Sequence, residues 1–188
     1  MHLVTYTMGM SIDGYVMGPD GGFDFTEPQP EVFAHHTDEL RRTSVHLLGR
    51  RLYETMRYWE DPEVEATFGD AEWEWARLWR ALPKVVFSRT LTSVEGTATR
   101  LATGTLAEEI ARLRTEPGDG DIAIGGAELA AAAAAEDLID EYRPLLHSVL
   151  VGGGTPFFAQ AGRRVPLEFV DSRAFAEKVV AMRYRVVR

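Results

Sequence analysis

The chain has 188 residues, of which 45% are hydrophobic, carries a formal net charge of −9 and contains no cysteine. The missing cysteines exclude disulfides, thiol nucleophiles and thiolate-ligated zinc. So acidic a surface repels nucleic acid and anionic membranes at long range, so neither is an expected partner, and a bound anion must find a local cluster of positive groups. Folding buries about 70% of the surface of a chain this long, and nothing in the composition asks for more than one domain over residues 1–188. The N-terminal segment has no basic stretch followed by an apolar run, and no apolar stretch approaches the roughly 20 residues that span a bilayer. A cytoplasmic protein is the expectation.

Residues 3–9, LVTYTMG, predict a first strand, rich in β-branched and aromatic side chains. SIDGY and GPDGG follow as turn chemistry. Residues 31–42 have a helical pattern with Val32, Phe33, His36 and Leu40 near one face. A short apolar strand at 45–48 runs into Gly49 and a helix from about 50 to 58. The acidic stretch 60–70 reads as a surface loop. Residues 71–82 form a predicted helix with Trp75, Leu78, Trp79 and Leu82 at i, i+3, i+4, i+7, a stripe suited to the core or to a subunit contact. Pro83 ends it.

Residues 84–88, KVVFS, predict a strand and 97–101 a weaker one, and 105–114 a helix opened by Thr105 with Glu108 three residues on. Residues 121–125, DIAIG, predict another strand, followed by Gly126 and an alanine-rich helix to about 136. The last third is β-rich without helical interruption. Strand–helix alternation followed by a meander predicts an α/β fold: a mixed, mostly parallel sheet with helices on both faces and an antiparallel C-terminal edge.

Three segments share one design, an apolar strand ending in a turn where a ligand can reach backbone amides. In HLLGRRLYE, Gly49 opens the turn, and Arg50 and Arg51 bring guanidinium forks suited to phosphate oxygens. In VVFSRT, Ser88, Arg89 and Thr90 put two hydroxyls and a guanidinium at the sheet's rim, a set suited to a phosphate monoester such as the 2′-phosphate of NADPH. In DIAIGGAELA, Gly125 and Gly126 separate strand from helix. The G-x-G-x-x-G fingerprint is missing, so this is no standard Rossmann half. Gly152–Gly153–Gly154 joins two β segments and reads equally as a flexible turn or a ligand edge. Among the carboxylates, Glu31 and Asp13 are the candidate catalytic residues. Glu31 reads equally as an N-terminal acid favouring its helix dipole, and Asp13 as a turn residue bonding local amides.

These segments, in this order, resemble the dihydrofolate-reductase-like family that includes the reductase domain of the bifunctional riboflavin-biosynthesis deaminase-reductase. SIDGY, LLGRRLYE, KVVFSRTL, DIAIGGAEL and LIDEYRPLLHSVLVGGGTPFF carry the resemblance over nearly the whole chain. It implies a three-layer sandwich on a sheet of about eight strands, an NADPH-dependent reductase of a small heterocycle, and a homodimer. By motif, Gly49, Arg50, Arg51 and Leu52 correspond to the loop for the pyrophosphate and 2′-phosphate, and Ser88, Arg89 and Thr90 to the adenosine-phosphate end. Ile124, Gly125, Gly126, Ala127, Glu128 and Leu129 correspond to the turn from nicotinamide to pyrophosphate. Leu52 stands where the family often has threonine. The deaminase half's zinc site needs cysteines that this chain lacks, so reduction alone is expected. The resemblance implies no metal. Three readings stay open: a reductase like the 5-amino-6-(5-phosphoribosylamino)uracil reductase, a dihydrofolate or pterin reductase, and a non-catalytic NADPH-binding protein.

Overall fold

The structure is a computed structural model that describes residues 2–158, 162–176 and 178–188. In chain order its strands are β1 (Val4–Ser11), β2 (Tyr15–Met17), β3 (Thr43–Gly49), β4 (Lys84–Phe87), β5 (Thr99–Leu101), β6 (Asp121–Gly125), β7 (Glu141–His147), β8 (Thr155–Pro156), β9 (Leu167–Phe175) and β10 (Val179–Val186). The α-helices are α1 (Pro30–Arg41), α2 (Arg50–Met56), α3 (Pro62–Glu65), α4 (Asp70–Ala81), α5 (Leu106–Leu113) and α6 (Ala127–Ala135). Eight strands form one sheet in the order β5-β4-β3-β6-β1-β7-β10-β9, and β2 pairs with β8 in a separate ribbon. From β5 to β7 every neighbouring pair is parallel, whereas β10 runs antiparallel to both β7 and β9. This is the expected mixed sheet with an antiparallel C-terminal edge.

Strand alternation distributes the core between two faces. Val45 and Leu47 of β3 and Val85 of β4 join Tyr6, Ile122 and Ile124 against Ile110 of α5 and Ala133 of α6. Leu48 and Val86, offset by one residue, face the other way and pack with Leu40 of α1 and with Trp75 and Trp79 of α4. Trp75 and Trp79 are therefore spent inside the chain, whereas Trp73 of the same helix is exposed. Trp79 is 2% exposed and stacks on Trp75 at 5.3 Å, which itself meets Trp59 at 4.3 Å. Of the two uses open to this stripe, Trp75, Trp79 and Leu82 serve the core, because the sheet face beneath α4 needs bulky apolar cover.

Three local differences from the sequence reading have simple causes. The helix after Gly49 ends at Met56 and continues as a 3-10 turn to Glu60. Within the acidic loop a single turn, α3, starts because Asp61 accepts a hydrogen bond from the Glu63 amide and Pro62 sits at N1. The SIDGY turn runs into β2, whose pairing with β8 explains the three glycines before Thr155. Gly154 has φ +116, and a Cβ there would collide with the Met17 carbonyl. At Thr105 the expected capping box is present: Glu108 N–H donates to the threonine oxygen at 3.2 Å, and the Thr105 N–H to Glu108 at 2.8 Å.

Candidate cofactor cleft and active site

An open cleft of about 710 Å³ runs along the C-terminal ends of the parallel strands. Strand order sets its layout, as in open α/β sheets generally, where ligands bind outside the carboxyl ends. Ser88, Arg89 and Thr90 border it after β4, Gly49 to Leu52 after β3, Gly126 to Leu129 after β6, and Met8 and Gly9 on β1. The tertiary structure thus brings the three glycine- and arginine-bearing segments to one wall. Ile124 and Gly125 lie just behind it as buried residues of β6.

Gly126 carries φ +98 and caps α6 without any side-chain hydrogen bond, so the first-turn amides of that helix have no capping partner. Gly125 is held by close packing: a Cβ there would stand 2.5 Å from Leu52 Cδ2 and 2.8 Å from His46 Nε2. Leu52 thereby acquires a role. In place of a hydroxyl it supplies the apolar side chain that covers the bare Gly125 backbone and packs on the Leu48–Trp79 cluster. Gly49 is in ordinary extended geometry with φ −69, which any residue adopts, and a Cβ there would make only ordinary contacts of 3.7 Å or more. Its contribution is an uncovered backbone facing the cleft.

The positive charges are held in pairs. Arg50 donates to the Thr90 hydroxyl at 3.0 Å and lies 3.2 Å from Glu54 one turn on, which offsets the unfavourable placement of arginine at a helix start. Arg51 pairs with Glu128 at 3.0 Å, tying α2 to α6 across the cleft. Ser88 accepts the amides of Thr90 and Leu91 at 3.2 and 3.0 Å, which sets the turn after β4. Arg89 is exposed and has no hydrogen bond or ion pair among the described residues.

The two candidate acids lie elsewhere. Asp13 accepts the amides of Val151 and Gly152 at 3.2 and 2.7 Å, which fastens the SIDG turn to the glycine loop. A hydrogen bond from Ser11, joined by these two amides, holds its carboxyl below the usual range. Glu31 is exposed in the first turn of α1. Neither lines the cleft, whose one carboxylate among the described residues is Glu128. The family-signature acids Asp140 and Glu141 sit at the start of β7, at the opposite end of the sheet. Asp140 accepts the Val4 amide at 2.8 Å, and Glu141, fully buried, binds Arg143 at 2.6 Å. His35 and His36 do not act as a pair, with ring centres 6.2 Å apart, and burial lowers His36 to about 4.

Sequence reasoning missed the cleft's other half: Met8, Val16, Met17, Phe23, Thr26 and Thr155. These residues come from β1, the β2–β8 ribbon and the 3-10 turn at Asp24–Thr26. Their types are unremarkable, and only the β2–β8 pairing brings Thr155 beside Met17. The glycine run before Thr155 was the sole signal.

Residues 2–181 match the family model described as the RibD C-terminal domain. The chain belongs to this family. It is 30% identical over 181 residues to YyaP of Bacillus subtilis strain 168, a protein without an assigned role, across 94% of this chain and 91% of that one. Among solved structures, it resembles a Shewanella sp. PV-4 protein named for riboflavin biosynthesis (TM-score 0.79, 22% identity, 99% of both chains). It also resembles the bifunctional diaminohydroxyphosphoribosylaminopyrimidine deaminase/5-amino-6-(5-phosphoribosylamino)uracil reductase of Thermotoga maritima, with TM-score 0.67 and 13% identity, over 99% of this chain and 57% of that one. A third is the Enterococcus faecalis dihydrofolate reductase complexed with NADP(H), with TM-score 0.59 and 14% identity, over 98% and 96%. The fold of this RibD C-terminal domain is thus dihydrofolate-reductase-like.

Proposed function

We propose that this RibD C-terminal domain protein is an NADPH-dependent reductase of a small heterocyclic acceptor. Family membership supports a reductase of the riboflavin-pathway type. The observation that carries the cofactor reading is the arrangement along one cleft of Arg89, Ser88 and Thr90, then Gly49 to Arg51, then Gly126 to Glu128.

The residues fit a dinucleotide. A cleft of about 710 Å³ is within the range of cofactor sites. Uncapped amides at Gly126–Ala127 and the guanidinium of Arg51 suit the pyrophosphate. Arg50, bonded to Thr90 at 3.0 Å, and Arg89 lie at the far end and suit the 2′-phosphate, while Phe87 and Ala102 offer an apolar seat for a base. Arg50 and Arg89, rather than Arg51, are therefore the residues that distinguish NADPH from NADH in this reading.

The nicotinamide, when bound, supplies a hydride to the acceptor carbon of a C=N or conjugated C=C bond. The chain's task is to orient the acceptor and to exclude bulk water from it. The balancing proton, taken up by the atom left with the electron pair, comes from water, because no acidic side chain lines the β1 end of the cleft among the described residues. With Trp75 and Trp79 internal, the exposed Leu167 and Phe169 of β9 offer an apolar surface for a homodimer, which light scattering measures.

Fluorescence titration with NADPH and NADH, followed by NADPH oxidation against a panel of pterins and ribosylaminopyrimidines, tests the reading. Preferential NADPH binding with turnover of one acceptor is expected. Tight NADPH binding without turnover of any heterocycle favours the non-catalytic binding protein, and no NADPH binding removes both.

A further inference from the structure

The cleft is electrostatically divided. Its cationic residues are Arg50 and Arg51, in the first turn of α2 after β3, and Arg89, in the turn after β4. β1 lies three sheet positions from β4, on the order of 14 Å at ~4.8 Å per strand. At that end the lining is Met8, Val16, Met17, Phe23, Thr26 and Thr155, with no charged side chain among the described residues. Every lysine and arginine of the sequence belongs to the described residues, so no further lysine or arginine is available to this half, and His147, which borders Gly9, is kept towards its neutral form by burial.

We infer that the acceptor is an uncharged, flat heterocycle without a phosphate group. This rests on the reading that the cationic half holds the cofactor's phosphates. A phosphate monoester carries roughly −1.5 to −2 charges at neutral pH, and placing it against methionine, valine and phenylalanine without a cation is costly. Glu128 adds to the barrier. When Arg51 turns to a cofactor phosphate, the Glu128 carboxylate at the boundary of the two halves loses its partner and repels a second anion. What the neutral half does offer fits a ring. Phe23 and the thioethers of Met8 and Met17 give soft apolar surfaces to stack on. The Thr26 hydroxyl, which donates to the Phe23 carbonyl at 2.7 Å, keeps acceptor capacity for a ring N–H. The Thermotoga maritima relative is named for a phosphoribosyl substrate, and this chain's cleft is built for a different acceptor.

Calorimetry on the full chain saturated with NADP⁺ tests this, using 5-amino-6-ribosylaminouracil, its 5′-phosphate and an unsubstituted pterin as probes. The inference requires that the uracil riboside or the pterin bind at least fivefold more tightly than the phosphate. It also requires that this binding be insensitive to salt, while NADPH binding weakens as salt rises. A smaller ratio, a preference for the phosphate, or no binding of either uncharged probe at millimolar concentration overturns it. A separate NADPH titration tells the two failures apart. Normal NADPH binding with the phosphate preferred sinks this inference alone, whereas absence of NADPH binding sinks the cofactor reading and this inference with it.

Discussion

Arg51 and Glu128 stand 3.0 Å apart, joining the first turn of α2 to the first turn of α6 across the mouth of the cleft. Both are largely exposed, so the pair itself contributes about 0–1 kcal/mol. Its importance is competitive, because Glu128 occupies the guanidinium that a pyrophosphate would use. Glu128→Gln is expected to tighten NADPH and NADH alike, roughly two- to fivefold at low salt. Fluorescence titration measures this, and weaker binding would show that Glu128 contacts the cofactor favourably.

Arg50 lies beside Thr90, at the end of the cleft away from α6. A charge-assisted hydrogen bond contributes about 1.5–3 kcal/mol. Arg50→Ala is accordingly expected to weaken NADPH by roughly tenfold or more and NADH by less than about threefold. Equal losses for the two cofactors would show that Arg50 does not read the 2′-phosphate.

Gly125 has no room for a side chain, with Leu52 Cδ2 at 2.5 Å and Leu48 Cδ2 at 3.2 Å from a Cβ built there. Overpacking of this kind costs about 1–3 kcal/mol. Thermal denaturation of Gly125→Ala should show that loss, and adding Leu52→Ala should recover part of it. Additive losses in the double variant would mean that the two positions do not share this space.

His46 is enclosed between β4 and β6, edge-on to Trp79, with Nδ1 buried and unpartnered. Burial, aided by Lys84, lowers it to about 4. The unfolded chain binds the proton near pH 6.5, well above the folded one, so acid favours unfolding. Stability from this group is complete above pH 6.5, is lost as pH falls, and levels off below about pH 4. The loss is on the order of 3 kcal/mol, and His36, also lowered to about 4, adds to it. Urea midpoints between pH 7 and 4 should slope downward, and His46→Leu should flatten the slope.

Arg143 is buried and reaches Glu39 at 2.6 Å, Asp121 at 2.8 Å and Glu141 at 2.6 Å, so that α1, β6 and β7 meet on one guanidinium. Arg143→Met leaves buried carboxylates short of their counter-ion and is expected to cost about 3–5 kcal/mol. Denaturant unfolding measures it. A loss below about 1 kcal/mol would mean that the neighbouring Arg183 compensates.

The sequence by itself determined the strands and helices, the two-faced burial and the strand-end segments that meet along the cleft, because each depends on local information. A period of two or 3.6 marks an element, and a glycine or arginine at a strand's end marks a turn able to meet an anion. That is why Gly49 to Leu52, Ser88 to Thr90 and Gly125 to Leu129 are legible as strand-end turns in the sequence alone. The roles of isolated acids were not legible in this way. Asp13 and Asp140 are fixed by amides 138 and 136 residues away, so their structural use follows from the tertiary arrangement alone. The tertiary structure also decided that Trp75 and Trp79 face the sheet, that Leu52 covers Gly125, and that a threonine after three glycines sits beside Met17. Above all, strand order placed every cleft arginine on one side of β6 and left the other side uncharged, a separation that depends on which strands are neighbours in space.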